Sequence, residues 1–131
     1  MCIRDRGWDT ACKLLILANF GLGADLTMGD LPVAGIQSVT AERFDAWRRQ
    51  GLVPKLVGRL WRENGAIRAE VGIRTYPLAD PLANIRGKDK AIRIVTDAMG
   101  ETLAIGSGKE PLATAAAALK DLEHILAVRM V

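Results

Sequence analysis

The sequence predicts an α+β fold, a mainly antiparallel sheet with helices packed on one face. Three observations carry that expectation. Two regions alternate apolar and polar residues on both sides of a short turn, three others carry helix start or stop signals, and their order is helix, short strand, helix, two hairpins, helix. Runs of strands joined as hairpins suit a layered antiparallel sheet and not a parallel βαβ array. At 131 residues, 50% of them hydrophobic, the chain is one domain at most and has enough apolar material for a real core.

The elements follow in order. A first helix is expected over about 10–22, with Asp9 at its N-cap and Gly21-Leu22-Gly23 as its stop. Residues 25–31 are polar and broken, and Pro32 to Val39 reads as a short strand. Thr40 caps a second helix that sets Phe44 and Trp47 on one face and Glu42, Arg43, Arg48 and Arg49 mostly on a solvated one, with Gly51 closing it. From Lys55 the period becomes two. Lys55 to Arg62 and Ala66 to Arg74 alternate around Asn64-Gly65, a strong hairpin turn. Tyr76-Pro77-Leu78 ends that pair, and Asp80 to Gly87 forms a connector. A second hairpin joins Ala91–Thr96 to Glu101–Ile105 across Met99-Gly100, and Gly106-Ser107-Gly108 leads into an alanine-rich helix over about 111–127, with Pro111 in its first turn. Such a sheet has one open face, and pairing with a second copy would cover it.

Composition excludes several classes of function. The net charge of +3 comes from basic residues scattered among acidic ones, without the stripe a nucleic-acid binder needs. Cys2, Cys12 and the single His124 have no metal-ligand spacing, and two cysteines make no disulfide framework, so a reducing, cytoplasmic setting is expected, with no metal. The longest apolar run, Leu14 to Ala18, is too short to span a membrane. Residues 1–6, Met1-Cys2-Ile3-Arg4-Asp5-Arg6, have no apolar signal-peptide core and read as a non-native leader, such as translated adapter bases, so the native sequence is expected to start at Gly7.

The stretch that looks like chemistry is Gly7-Trp8-Asp9-Thr10-Ala11-Cys12-Lys13, leading into Leu14-Leu15-Ile16-Leu17-Ala18. Lys13 is a first-turn cation against the positive end of the helix dipole, with apolar residues following on every face; both effects lower a lysine pKa. Asp9, four residues earlier on the same face, favours the charged form and opposes them. A lysine held between these influences can act as a general acid near neutral pH. Taken singly, Asp9 also reads as a plain N-cap, and Lys13 as a lysine that buries its stem and lifts its head into water.

The same stretch resembles the Gly-x-Asp-x-x-x-Lys signature of the homoserine dehydrogenases. The resemblance continues through Asp80-Pro81-Leu82-Ala83-Asn84-Ile85-Arg86-Gly87, similar to the family's Pro-Leu-Ala-x-Val-x-Gly segment. It also takes in Gly106-Ser107-Gly108 through Thr114-Ala115 to Asp121-Leu122, similar to the family's last loop and helix. Two departures stand out. Lys90-Ala91-Ile92 replaces the family's Asn-Ala-Val, and Gly108-Lys109-Glu110 replaces a Gly-Ala-Gly turn, so that Glu110 brings a side chain and a negative charge where bare backbone approaches the cofactor.

The resemblance implies that residues 7–131 form part of the catalytic and dimerisation domain of an oxidoreductase interconverting L-homoserine and L-aspartate 4-semialdehyde with NAD(P), on the route to threonine, methionine and isoleucine. It puts the catalytic proton donor on Lys13 and substrate binding on Asp9. It also implies a homodimer, with NAD(P) held mainly by a domain absent from this chain: no strand here runs into Gly-x-Gly-x-x-Gly, and no cofactor-binding residue is assigned. Two alternatives are the catalytic or dimerisation domain of another two-domain NAD(P)-dependent oxidoreductase, and a non-catalytic dimerisation module.

Overall fold

A glycine, not the aspartate, starts the first helix. In the computed structural model, which describes residues 6–107 and 111–128, α1 spans Trp8–Ile16 and its N-cap is Gly7 in the left-handed region at φ 83°. No side chain caps it, and Gly7 C=O accepts from Ala11 N–H at 2.9 Å. Asp9 is therefore inside the first turn, which corrects the expected N-cap. A Cβ on residue 7 would lie 3.0 Å from Val33 Cγ1 and 3.2 Å from Val71 Cγ1, so this position requires glycine both for its backbone angle and for the closeness of its neighbours.

Beyond Ile16 the chain widens into a π-helical turn, Leu17–Gly21, where a continuous α-helix to Leu22 was expected. Asn19 explains how the turn is held. Its Nδ2 donates to Leu26 C=O and its Oδ1 accepts from Leu26 N–H, both at 2.9 Å, so one side chain pairs with the returning loop as a strand would. The loop continues through a 3₁₀ turn, Met28–Asp30, in which Asp30 Oδ2 accepts from Thr27 N–H at 2.8 Å and from Thr27 Oγ1–H at 2.6 Å. The strand expected over 32–39 is reduced to one parallel bridge, Val33 to Val71: Val71 N–H donates to Pro32 C=O and Ala34 N–H to Val71 C=O, at 2.9 and 2.8 Å. Pro32 has no N–H for a longer ladder, and the backbone turns into a 3₁₀ segment, Ile36–Ser38, after Gly35.

Thr40 caps α2, Ala41–Arg49, as expected, its Oγ1 accepting from Arg43 N–H at 3.3 Å. Strands β1, Leu52–Glu63, and β2, Ala66–Pro77, then pair antiparallel in the register Leu52 with Pro77 through Glu63 with Ala66. Asn64 and Gly65 both have positive φ, 50° and 82°, as a type I′ turn demands. The core lies between α1 and this hairpin: Ala11, Leu14, Leu31, Ala69 and Val71 are buried, with Leu56 and Leu60 packed against them. At Gly58, on β1, a Cβ would come within 3.1 Å of Thr10 Cγ2 and 3.2 Å of Leu14 Cδ1; the missing side chain lets α1 sit close to the strand.

The chain divides into two compact units, Met1–Ala83 and Asn84–Val131. The second contains β3, Asp89–Thr96, paired antiparallel with β4, Gly100–Ser107, and the helix α3, Pro111–Val128. The α+β class stands. Its strands form two separate two-stranded sheets, order β1-β2 and β3-β4, in place of a single continuous one. In α3 the apolar side chains of Leu112, Leu119, Leu122, Ile125 and Leu126 are exposed, as are Ile92, Ile94 and Ile105 of the second hairpin. Among the described residues no helix is long and apolar enough to cross a membrane. Most of the leader (residues 1–5) and the Gly108-Lys109-Glu110 departure lie outside the described residues.

Candidate active site

The α1 helix carries Asp9 and Lys13 on one flank, and the structure brings the two together. Lys13 Nζ donates to Asp9 Oδ2 at 2.6 Å across one helical turn. Three contacts fix the helix that holds them. The Gly7 cap sets where α1 begins, Gly58 lets it approach β1, and Ala11, Leu14 and Ala18 face inward, so the polar pair is turned away from the core.

The setting of Lys13 corrects the sequence expectation. An ammonium with little water to point into was expected, on the premise that apolar residues surround the helix on every side. Instead the side chain of Lys13 is 54% exposed and that of Asp9 41%. The apolar residues of α1 and of the π turn that follows it do not all turn inward: Ala11 and Ala18 are fully buried, whereas Trp8, Ile16 and Phe20 are exposed. Thr10 and Leu14 make the close contact with β1, and Trp8, Ile16 and Phe20 are left on the outside. What the pair offers is a charge-assisted proton donor held at a fixed distance from a carboxylate, both accessible to a small polar substrate.

Cys12 lies beside Lys13 and is a free, exposed thiol. Among the described residues no group of three or more His, Cys, Asp or Glu side chains comes together to hold a metal ion. Nor do they offer a cradle for a dinucleotide. Both sheets are antiparallel hairpins, and no parallel strand runs through a glycine-rich turn into a helix N-terminus.

Sequence reasoning passed over a second cluster, on the far face of the β1-β2 hairpin. Arg59 stands opposite Glu70 in the register and its Nη1 lies 3.2 Å from Glu70 Oε1, while Arg74 Nη2 reaches the same oxygen from four residues further along β2. The Arg74 hydrogen bond, helped by the charges of both arginines, holds the Glu70 carboxyl below its ordinary range. The alternating pattern, with Arg59, Glu70 and Arg74 all on the polar face, was the available signal.

Comparison with known proteins agrees with this frame. The family model of homoserine dehydrogenase matches residues 5–122. The chain is 35% identical over 119 residues to a homoserine dehydrogenase of Methanocaldococcus jannaschii, covering 91% of this chain and 34% of that protein. It is 33% identical over 120 residues to an NAD(+)-dependent homoserine dehydrogenase of Pseudomonas canavaninivorans, covering 91% and 34%. Among solved structures, homoserine dehydrogenase of S. aureus at pH 6.0 superposes with a TM-score of 0.85 at 28% identity, over 97% of this chain and 32% of that one. The enzyme of Thiobacillus denitrificans gives 0.83 at 30% identity, over 92% and 28%. The chain thus spans about a third of the length of the curated relatives it matches. On the extent of the family match, with the same fold in the solved structures, this chain belongs to the homoserine dehydrogenase family.

Proposed function

We propose that residues 7–131 supply the catalytic and dimerisation region of an enzyme that interconverts L-homoserine and L-aspartate 4-semialdehyde, with Lys13 as proton donor and Asp9 as substrate ligand. The observation that carries this reading is the 2.6 Å contact between Lys13 Nζ and Asp9 Oδ2 on the open flank of α1. As the aldehyde is reduced, negative charge grows on its oxygen. An ammonium beside it stabilises that charge and delivers the proton, leaving a neutral amine that takes a proton back from solvent. In the oxidative direction the neutral amine accepts the hydroxyl proton of homoserine. Asp9 holds Lys13 in place by its carboxylate and offers the same group to the α-ammonium of the substrate.

A nicotinamide cofactor supplies or accepts the hydride when bound, and in this reading it is held mainly by residues outside this chain. The family name of the relatives supports a nicotinamide cofactor, and one relative is described as NAD(+)-dependent. The proposal extends to a homodimer formed through the exposed apolar surface and to a cytoplasmic biosynthetic enzyme.

Grafting residues 7–131 in place of the matching region of the Methanocaldococcus jannaschii enzyme tests the proposal. The hybrid should reduce NAD(P)+ only when homoserine is present. A folded hybrid with no homoserine-dependent turnover would count against the assignment, and in favour of a module that only brings copies together.

A further inference from the structure

Away from α1, the first unit contains an open groove of about 410 Å³, bounded by the 32–39 segment, α2 and β2. That volume lies toward the lower end of the range of roughly 300–1,000 Å³ typical of ligand sites, suited to a small organic molecule. Its charge is uneven. Arg43, Arg74 and Glu70 line it, two cations to one carboxylate, and Glu70 is already engaged by Arg74 and by Arg59. Arg43 is differently placed. Its guanidinium stacks over the Trp47 ring with 5.0 Å to the centroid, and no carboxylate among the described residues pairs with it. Stacking on an aromatic ring fixes the plane of a guanidinium while leaving its N–H donors for an anion.

The floor of the groove includes Gly72, where a Cβ would meet nothing within 4 Å. Its φ is not in the left-handed region, so the backbone does not demand glycine there. The bare strand leaves room for a ligand there, and Val39 and Ile73 also line the groove.

We propose that this groove binds a small organic carboxylate, its anionic end on Arg43 and its apolar body laid across Gly72. A carboxylate suits the planar two-pronged donor set of arginine, and the mixed lining suits an acid with a short branched body better than a bare inorganic anion. The groove shares no lining residue with the Asp9–Lys13 pair, so the proposal stands or falls independently of the catalytic reading.

The test is a titration of the 15N-labelled 131-residue chain with isovalerate, followed through the Trp47 indole and Arg43 side-chain resonances. Saturable shifts are expected, with an affinity on the order of millimolar for a ligand with so few atoms. Isovaleramide, which lacks the charge, should not saturate. Arg43→Gln should weaken binding by roughly tenfold or more, the loss of a charged hydrogen bond. Gly72→Leu should abolish binding by filling the floor while the melting curve stays that of a folded protein, and Lys13→Ala should leave binding unchanged. Absence of saturable shifts, equal binding of the amide, binding of inorganic phosphate as tight as that of isovalerate, or binding that survives Gly72→Leu would each overturn the proposal.

Discussion

Gly58 faces Leu14 across the seat of α1 so closely that a Cβ at 58 would lie 3.2 Å from Leu14 Cδ1 and 3.3 Å from Cδ2. The helix that carries Asp9 and Lys13 thus owes its height above β1 to a missing side chain. Gly58→Ala should overpack this contact and cost about 1–3 kcal/mol, less a few tenths recovered from the stiffer unfolded chain. Urea melts check it. Thr10→Ser removes the nearest methyl, 3.1 Å away, so the double variant should recover part of the loss; a Gly58→Ala protein as stable as the parent would mean that the seat has slack.

Gly7→Ala should be harmful for a different reason. The φ of 83° would force an L side chain into the left-handed region, which costs about 1–2 kcal/mol before any contact is considered. Val33 and Val71 then stand in the way of the new methyl. Adding Val33→Ala should relieve the nearer of the two contacts and leave the Val71 contact and the backbone part, and thermal melts of the single and double variants, with Val33→Ala alone as reference, measure how much is recovered.

Acid should weaken the fold through Glu70. Its carboxyl is held below its ordinary value of 4.5 in the folded protein, chiefly by the Arg74 hydrogen bond. A depressed folded pKa gives stability that is fully present above the unfolded value and lost as pH falls through the folded one. Asp30, through its bonds from Thr27, and Glu42, through Thr40, are shifted the same way and add to the trend. Stability from urea melts should therefore be flat near neutrality and fall below about pH 4.5. Glu70→Gln should be less stable than the parent at pH 7, and the gap should close toward pH 3. A gap that does not change with pH would show that the arginines act on Glu70 only through packing.

The parts of this fold that were legible in the sequence are those set by local chemistry. Asn64-Gly65 specifies a type I′ turn by itself, and Thr40 needs only its own hydroxyl to cap α2. Asp9 and Lys13 were legible as a pair because a spacing of four always meets on a helix. The rest depended on partners distant in sequence. The π turn at Leu17–Gly21 is held by a bond from Asn19 to Leu26, and the 32–39 segment reaches β2 at only one residue because Pro32 and Gly35 flank the bridge. The direction of Lys13 was hidden for a similar reason. Ranking side chains by hydrophobicity buries Phe20 and Trp8 before Ala11, whereas Ala11 is fully buried and the close approach at Gly58 is met by Thr10 and Leu14.

In the hybrid enzyme, Lys13 and Asp9 should respond differently to substitution. Lys13→Ala removes the proposed proton donor from an exposed position, so the fold should survive while kcat falls by about 10²-fold to 10⁴-fold, the range for losing one general acid. Asp9→Asn should behave differently. Because Gly7 and not Asp9 caps α1, the substitution removes no cap; it removes an exposed ion pair worth roughly 0.5 kcal/mol or less. Its main effect should be on KM, through lost counter-charge for the α-ammonium of homoserine, with a smaller fall in kcat as Lys13 loses its anchor. Lys13→Arg separates charge from proton transfer: it keeps a cation beside the growing oxyanion but cannot readily give up a proton, so binding should persist and turnover should not. Steady-state kinetics beside melting curves decide the matter. Should Lys13→Ala turn over homoserine as fast as the parent, Lys13 would be a surface lysine paired with Asp9 and no more, and the proton would have to come from elsewhere.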